Sequence, residues 1–428
     1  MNERDDSRIK EYRQIRKEVR GSNEYLIIGI DVAKEKHNAF FGTATGEALF
    51  KRLVFENNIE GFTKLHDRTE ALKIQHHLSK VLYGLEPTAN YHKPLAEYLI
   101  KRGDNVVLVS GVAVDRNRES LDGRWDKHDM KDSANVADLI SQGKFQYYDY
   151  PSIELRELRN LLSLKRRLKK QEHGVKVRIR NHLLAQYFPE IDRFIGKGSS
   201  EGLSIVKWCL NPSVISGMEY GEFVQLVAPR VKTIGQSNRI KAIWRLSKDS
   251  IGCEAGQALG FEAKLMVEDL QQIRASIKKV DEHIEGICLG FPEYSHLLSI
   301  PGFGPDVSSK VIAAIGDPFR FDNGSQVLKL AGLDLSASRS GKTSDSAVPV
   351  ISKKGKSTLR YALYQAAFIA STSNHYFIIY YTNKLRSRER EKGIKTKMKV
   401  KLAAKMLIIA WTIMKNKEYF NPKYLNIG

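Results

Sequence analysis

The sequence predicts an α/β domain followed by a longer, mainly helical region. Three observations carry that expectation. Apolar runs at Tyr25–Asp31 and Val81–Glu86 read as buried strands, each ending in a carboxylate. Met266, Leu270, Ile273, Ile277, Val280, Ile284 and Ile287 recur at spacings that alternate between four and three, an unbroken a/d seam over three heptads. A Pro-Gly turn at Ser299–Pro305 leads into the apolar stretch Val307–Ile315 and resembles a helix-hairpin-helix.

The elements follow in order. Residues 1–23 form a charged leader of mixed sign, with no apolar core to make it a signal peptide. After the strand at Tyr25–Asp31, His37–Phe41 and Ala48–Phe55 fall at hairpin spacing, with Gly42 and Gly46 between them. A helix over Gly61–His77, the strand Val81–Glu86, a helix over Asn90–Arg102, a strand Asn105–Ser110 and a helix over Asp129–Gln142 complete a domain at 24–150. From residue 151 the pattern turns helical. Leu161, Leu164, Leu168, Val175, Ile179 and Leu183 share a face, and with the later heptad they bracket a mixed helical insert at 196–260. The seam predicts an antiparallel coiled coil within the chain, a contact between two copies, or both. A C-terminal domain at 291–428 holds the Pro-Gly turn, a Gly/Ser-rich stretch at 331–346, a basic turn Lys353–Lys356 and helices over Ser357–Thr372 and Lys399–Lys415.

Composition narrows the class. The chain has 428 residues, 42% hydrophobic and 28% charged, which excludes a wholly disordered chain and a collagen. No apolar run approaches the roughly 18 residues of a spanning helix. Cys209, Cys253 and Cys288 show no pairing or zinc motif and fit a reducing compartment. The formal charge is +20, which points to a polyanionic partner, most often nucleic acid. The excess is clustered. Residues 156–180 carry ten Lys/Arg against Glu157 and Glu172, and 384–401 carry nine against Glu389 and Glu391. Cations so placed bind phosphates by releasing counterions. The candidates for nucleic-acid contact are Arg159, Lys165, Arg166, Arg167, Lys169, Lys170, Lys342, Lys353, Lys354, Arg386, Arg388, Lys395 and Lys397, with Gly302 and Gly304 at the turn. Spacing does not distinguish DNA from RNA.

Four acids stand out as chemistry. Asp31 and Glu86 close apolar strands, where a charge has little structural purpose. Asp129 and Asp132 are three apart and share a helix face. Gathered carboxylates repel unless a cation sits among them, and hard divalent ions take oxygen ligands. Strand-end acids with a helical acid pair is the plan of metal-dependent nucleases of the ribonuclease-H-like fold. Asp122 and Asp126 compete for the helical role, and spacing alone does not decide between them.

Several ordered motifs carry a family likeness. Ile28-Gly-Ile-Asp-Val-Ala-Lys34, Gly84-Leu-Glu-Pro-Thr88 and Lys127-His-Asp-Met-Lys-Asp-Ser-Ala134 resemble the acidic motifs of the IS-one-ten insertion-sequence transposases. Leu298–Pro305, Ala331–Leu333, Arg339–Lys342, Ile351–Gly355 and Leu359-Arg360 resemble the signature of their C-terminal transposase domain. Arg339 stands where the family often has Gln or Ser, and Asp334-Leu335 replaces its usual Pro. The resemblance implies a RuvC-like N-terminal domain in which Asp31, Glu86, Asp129 and Asp132 bind magnesium, with manganese as the alternative ion. It also implies Ser340 as the nucleophile, a choice the Gly/Ser-rich loop would not suggest alone. It further implies a recombinase guided by a structured bridge RNA, acting on donor and target double-stranded DNA as a dimer or tetramer. Its setting would be the nucleoid of a bacterial or archaeal cytoplasm. The rival enzyme is a metal-dependent junction resolvase or nuclease with water as nucleophile. The non-enzyme rival is a nucleic-acid-binding scaffold.

Overall fold

The computed structural model describes residues 3–122, 129–194, 200–231, 233–336 and 350–425. The chain divides into two compact units, Met1–Pro151 and Ser152–Gly428.

The first unit is a six-stranded mixed sheet. Its strands are β1 (Tyr25–Asp31), β2 (Lys36–Thr43), β3 (Ala48–Glu56), β4 (Lys80–Leu85), β5 (Asn105–Leu108) and β6 (Gln146–Tyr147), in the order β3-β2-β1-β4-β5-β6. β1 pairs antiparallel with β2 and parallel with β4, and β4 pairs parallel with β5. Strands alternate their side chains between faces, and each face here has its own cover. Leu26, Ile28 and Ile30 of β1, with Tyr83 and Leu85 of β4, pack with residues of α2 (Ile59–Gln75) and α3 (His92–Arg102). Ile27 and Leu82 point the other way and pack with α1 (Glu3–Glu18), α4 (Gly111–Asp122) and α5 (Asp129–Ser141). Local signals set the helix ends. The Asn58 side chain caps α2 by accepting from Gly61 N at 2.8 Å. Gly103 ends α3 with φ +94°.

The charged leader is a docked helix in this unit. Ile15 and Val19 are buried in the core under α5, and Arg20 Nε donates to Gln142 O at 2.7 Å. Helix α4 and strand β6 lie where no element was expected, because both are short and mostly polar.

The second unit is built on two long helices, α6 (Ile153–Arg178) and α12 (Gln257–Leu289). They run antiparallel, since Lys165 pairs with Asp281 while Glu172 pairs with Arg274. All seven residues of the heptad seam are buried or half-buried. Between the long helices come a π-helical turn at Ile179–Leu184, α7 (Ala185–Tyr187), α8 (Ser200–Cys209), α9 (Pro212–Ser216), α10 (Tyr220–Val227) and α11 (Ile234–Leu246). These close a core over one end of the pair, with Phe188, Phe223 and Ile243 fully buried. At the other end, Leu158, Ile284 and Cys288 share a core with α13 (Pro292–Leu298), α14 (Pro305–Ile315) and α15 (Gly324–Ala331). A short hairpin, β7 (Leu335–Ser336) with β8 (Val350–Ile351), precedes α16 (Ser357–Ser373), α17 (His375–Leu385) and α18 (Ile394–Asn416). The boundary drawn at 290/291 therefore falls inside a shared apolar core.

Candidate active site

The acids of the first unit are organised by two glycines. Gly29 and Gly84 are register partners on β1 and β4, and Ile30 pairs with Leu85. Glu86 N donates to Ile30 O at 3.2 Å, so Asp31 and Glu86 stand side by side where the two strands end. Each acid lies two residues beyond its glycine and therefore on the same sheet face. That face is the one α5 covers. A methyl group at Gly29 would run into Ser133 O and lie 2.5 Å from Ala137 N. One at Gly84 would strike the tip of Ile140 and sit 3.4 Å from Val136 Cγ1. The missing side chains let the α5 backbone rest directly on the sheet. Asp132, next to Ser133, is carried there and is 4% exposed. The Glu86 carboxyl reaches the start of α4, since a methyl on Gly111 would be 2.8 Å from Oε1.

Asp31 and Glu86 thus share one end of one sheet face, and Asp132 lies on the helix that covers that face. The side chain of Asp129, one turn upstream on α5, lies outside the described residues, as do those of Asp122 and Asp126. Among the described residues, no three His, Cys, Asp or Glu side chains are gathered closely enough to hold a metal ion. The donors present are all carboxylate oxygens, the set that suits a hard divalent cation.

The sequence reading missed a support for this site. His37 is fully buried, and its Nδ1 accepts from Ala33 N at 3.2 Å, which pins the turn directly after Asp31. Its ring meets Phe55 edge-on at 5.1 Å and stacks with Phe62. Burial pushes its pKa down, against a hydrogen bond with Asn57 that raises it. The only sequence signal was a lone histidine inside an apolar strand.

In the second unit the basic candidates sort by their partners. Lys165 is 15% exposed, with Nζ 2.7 Å from Asp281 and 2.6 Å from Asp306, so it closes an internal ion cluster rather than facing solvent. Arg159 Nε donates to Ala313 O at 2.8 Å. Lys169 pairs with Glu172 at 3.1 Å and keeps an exposed side chain. Arg166, Arg167 and Lys170 are exposed on α6. In the later run Arg388 holds Glu391 in a two-pronged pair, while Arg386, Lys395 and Lys397 are exposed. Lys353 and Lys354 are exposed on the turn before α16. That turn is tight, for a methyl on Gly355 would lie 2.5 Å from Gly332 N.

Gly302 has another reason to be glycine. Its φ is +88°, and a methyl there would lie 2.5 Å from Ala366 O on α16, so helix packing accounts for it without a phosphate. Gly304 opens α14 and has free space around it. Ser340 and Lys342 fall within 337–349, between the paired strands β7 and β8, and lie outside the described residues.

Two family models match the chain. One, described as a transposase of the DEDD type from IS110, matches residues 28–189; the other, described as "Transposase IS116/IS110/IS902 family", matches 294–382. Together they take in more than half of the chain. The chain belongs to this transposase family. The transposase is therefore an enzyme that cuts and rejoins DNA. It is similar to "Insertion element IS110 uncharacterized 43.6 kDa protein" of Streptomyces coelicolor, at 20% identity over 93% of this chain and 96% of the relative. It is likewise similar to "Insertion element IS116 uncharacterized 44.8 kDa protein" of Streptomyces clavuligerus, at 22% identity over 94% and 97%. The first match begins at Ile28, beside Gly29, and spans Asp31, Glu86, Asp129 and Asp132. Among the described residues, no helix is long and apolar enough to cross a membrane.

Proposed function

We propose that this transposase exchanges DNA strands through Ser340, with Asp31, Glu86, Asp129 and Asp132 holding a divalent cation, magnesium or manganese. The observation that supports it most is the seating of α5, the helix that carries Asp132, on Gly29 and Gly84, over the sheet face to which Asp31 and Glu86 belong. The strand order and the acid placement accord with a ribonuclease-H-like, RuvC-type domain at 24–150. A coiled-coil region at 151–290 and a transposase domain at 291–428 complete the reading. When bound, the cation withdraws charge from a phosphate oxygen. The serine Oγ forms a bond to phosphorus as the bond to one deoxyribose oxygen breaks. The hydroxyl proton is given up, the released deoxyribose oxygen takes one up, and the phosphodiester is conserved as a phosphoserine ester for rejoining.

In the same reading a structured RNA pairs with donor and target duplexes, and protein cations hold the backbone. A dimer or tetramer brings the parts together, in the bacterial cytoplasm. The test is Ser340→Ala on element-end DNA, with covalent protein–DNA adducts scored on denaturing gels. Loss of both adduct and cleavage is expected. Magnesium-dependent cleavage that persists in Ser340→Ala without an adduct would mean a water nucleophile. Cleavage unchanged in Asp31→Asn would remove the acids from the chemistry. Sequencing of RNA that co-purifies with the chain tests the guide, and recovery of no discrete element-derived RNA would refute it.

A further inference from the structure

The second unit contains a cleft of about 570 Å³ between α6, the end of α14 and the start of α16. Its lining includes six cations: Arg159, Lys165, Arg166, Lys169, Lys310 and Lys356. Among the described residues, three carboxylates pair with Lys165, Lys169 and Lys310. Asp281 and Asp306 take Lys165, Asp306 also takes Lys310 at 2.5 Å, and Glu172 takes Lys169. Arg166 has no carboxylate partner among the described residues. The carbonyls ending α14 hold two of the heads in place, Ala313 O accepting from Arg159 and Ala314 O from Lys356 at 3.4 Å. Like charges gathered around one concavity repel, and an anion that enters among them relieves the repulsion.

The same cleft carries an aromatic. Tyr361, on the first turns of α16, lines it and is 64% exposed. An exposed ring beside fixed cations is how proteins hold strands whose bases are free to stack. We infer that this cleft seats a single-stranded stretch of polynucleotide, with its phosphates against Arg166, Lys169, Lys310 and Lys356 and one unpaired base on Tyr361. This deepens the DNA-acting reading and rests on it. The cleft takes the chemistry that DNA and RNA share.

The test uses the full chain in EDTA, so that binding is read without catalysis. Probes are a 12-nucleotide single strand carrying one 5-iodouracil, made as DNA and as RNA, and the matching DNA duplex. Irradiation is expected to cross-link the single strand to the peptide holding Tyr361. Tyr361→Ala should remove that adduct and weaken single-strand binding about 5- to 150-fold, the range of one stacked base. Tyr361→Phe should retain both. Arg166→Ala should lower the salt slope by about 0.7. The ratio of DNA to RNA adduct identifies which strand is the source. Cross-links that map elsewhere, or equal losses on duplex and single strand in Tyr361→Ala, overturn the proposal. Should the adduct be missing while cleavage still depends on Asp31 and Ser340, the cleft reading falls and the strand-exchange reading stands.

Discussion

Gly29→Ala is the sharpest probe of how the acids are assembled. The added methyl would lie 2.5 Å from Ala137 N and 2.9 Å from Ala137 Cβ, with Ser133 O closer still. Two of these three atoms are backbone of α5, so no rotamer change relieves the clash. The helix must retreat by about an ångström to restore ordinary contact, and overpacking of this kind costs roughly 1–3 kcal/mol. Asp132 moves with it, and a misplacement of that size at a catalytic group costs on the order of 100-fold in rate. The assay pairs the rate of element-end cleavage with thermal melting. Gly84→Ala is the internal control. There the methyl meets Ile140 Cδ1 first and Cγ1 at 3.0 Å, the far end of a flexible side chain. It should cost less in both readouts, and Ile140→Val should relieve it further. A Gly29→Ala protein with unchanged melting and cleavage, or a Gly84→Ala protein more damaged than Gly29→Ala, refutes the reasoning.

Other outcomes follow from single contacts. Burial raises the Glu172 pKa, but hydrogen bonds from Lys176, Lys169 and Arg274 hold it down at about 2. A depressed carboxyl stabilises above its unfolded pKa and loses that contribution as pH falls toward the folded one. Glu172→Gln should therefore cost about 3 kcal/mol at pH 7. In urea unfolding its gap from the parent should narrow at pH 3.5, and a constant gap would refute the assignment. His37 has a lowered pKa, so its contribution is present above about 6.5 and fades as pH falls below that. His37→Phe should flatten the fall in melting temperature between pH 7 and pH 5; an unaltered slope would assign it to another group, such as His92. Gly302→Ala combines a left-handed φ with a clash against α16, and should lower stability by about 2 kcal/mol in urea unfolding. A neutral result would show that the turn yields.

The strands were legible because β1 and β4 are buried on both faces and read as apolar runs closed by acids. The long helices were legible because their apolar residues keep one period over many turns. Other elements left no such trace. Helix α17 is hidden in sequence because His375–Leu385 is apolar nearly all round and runs into the basic stretch. The β7–β8 hairpin rests on two residues per strand. The acids were legible as residue types, but not the device that seats them. Gly29 and Gly84 look like ordinary strand residues until the register makes them neighbours and α5 falls across both. Likewise Tyr361 drew no notice, and Lys356 was only the end of a basic turn, because their meaning comes from α6 lying opposite.

Charge was the most visible feature of the sequence and the least resolved. The ten cations of residues 156–180 look equivalent in one dimension. In the fold Lys165 is sealed by two aspartates, Lys169 and Lys176 share Glu172, and Arg180 is held by Asp192 at 2.7 Å. Arg166, Arg167, Lys170 and Arg178 have no acidic partner among the described residues. A cation already in an ion pair gains less from a phosphate, because it must first give up its carboxylate. The salt dependence contributed by this helix should therefore follow these four side chains and not all ten. Removing Lys165 should act through the α6–α12 contact, lowering stability while leaving the salt slope of nucleic-acid binding nearly unchanged. Removing Arg166 should do the reverse, so the pair separates a cation that builds the fold from one that meets the polyanion.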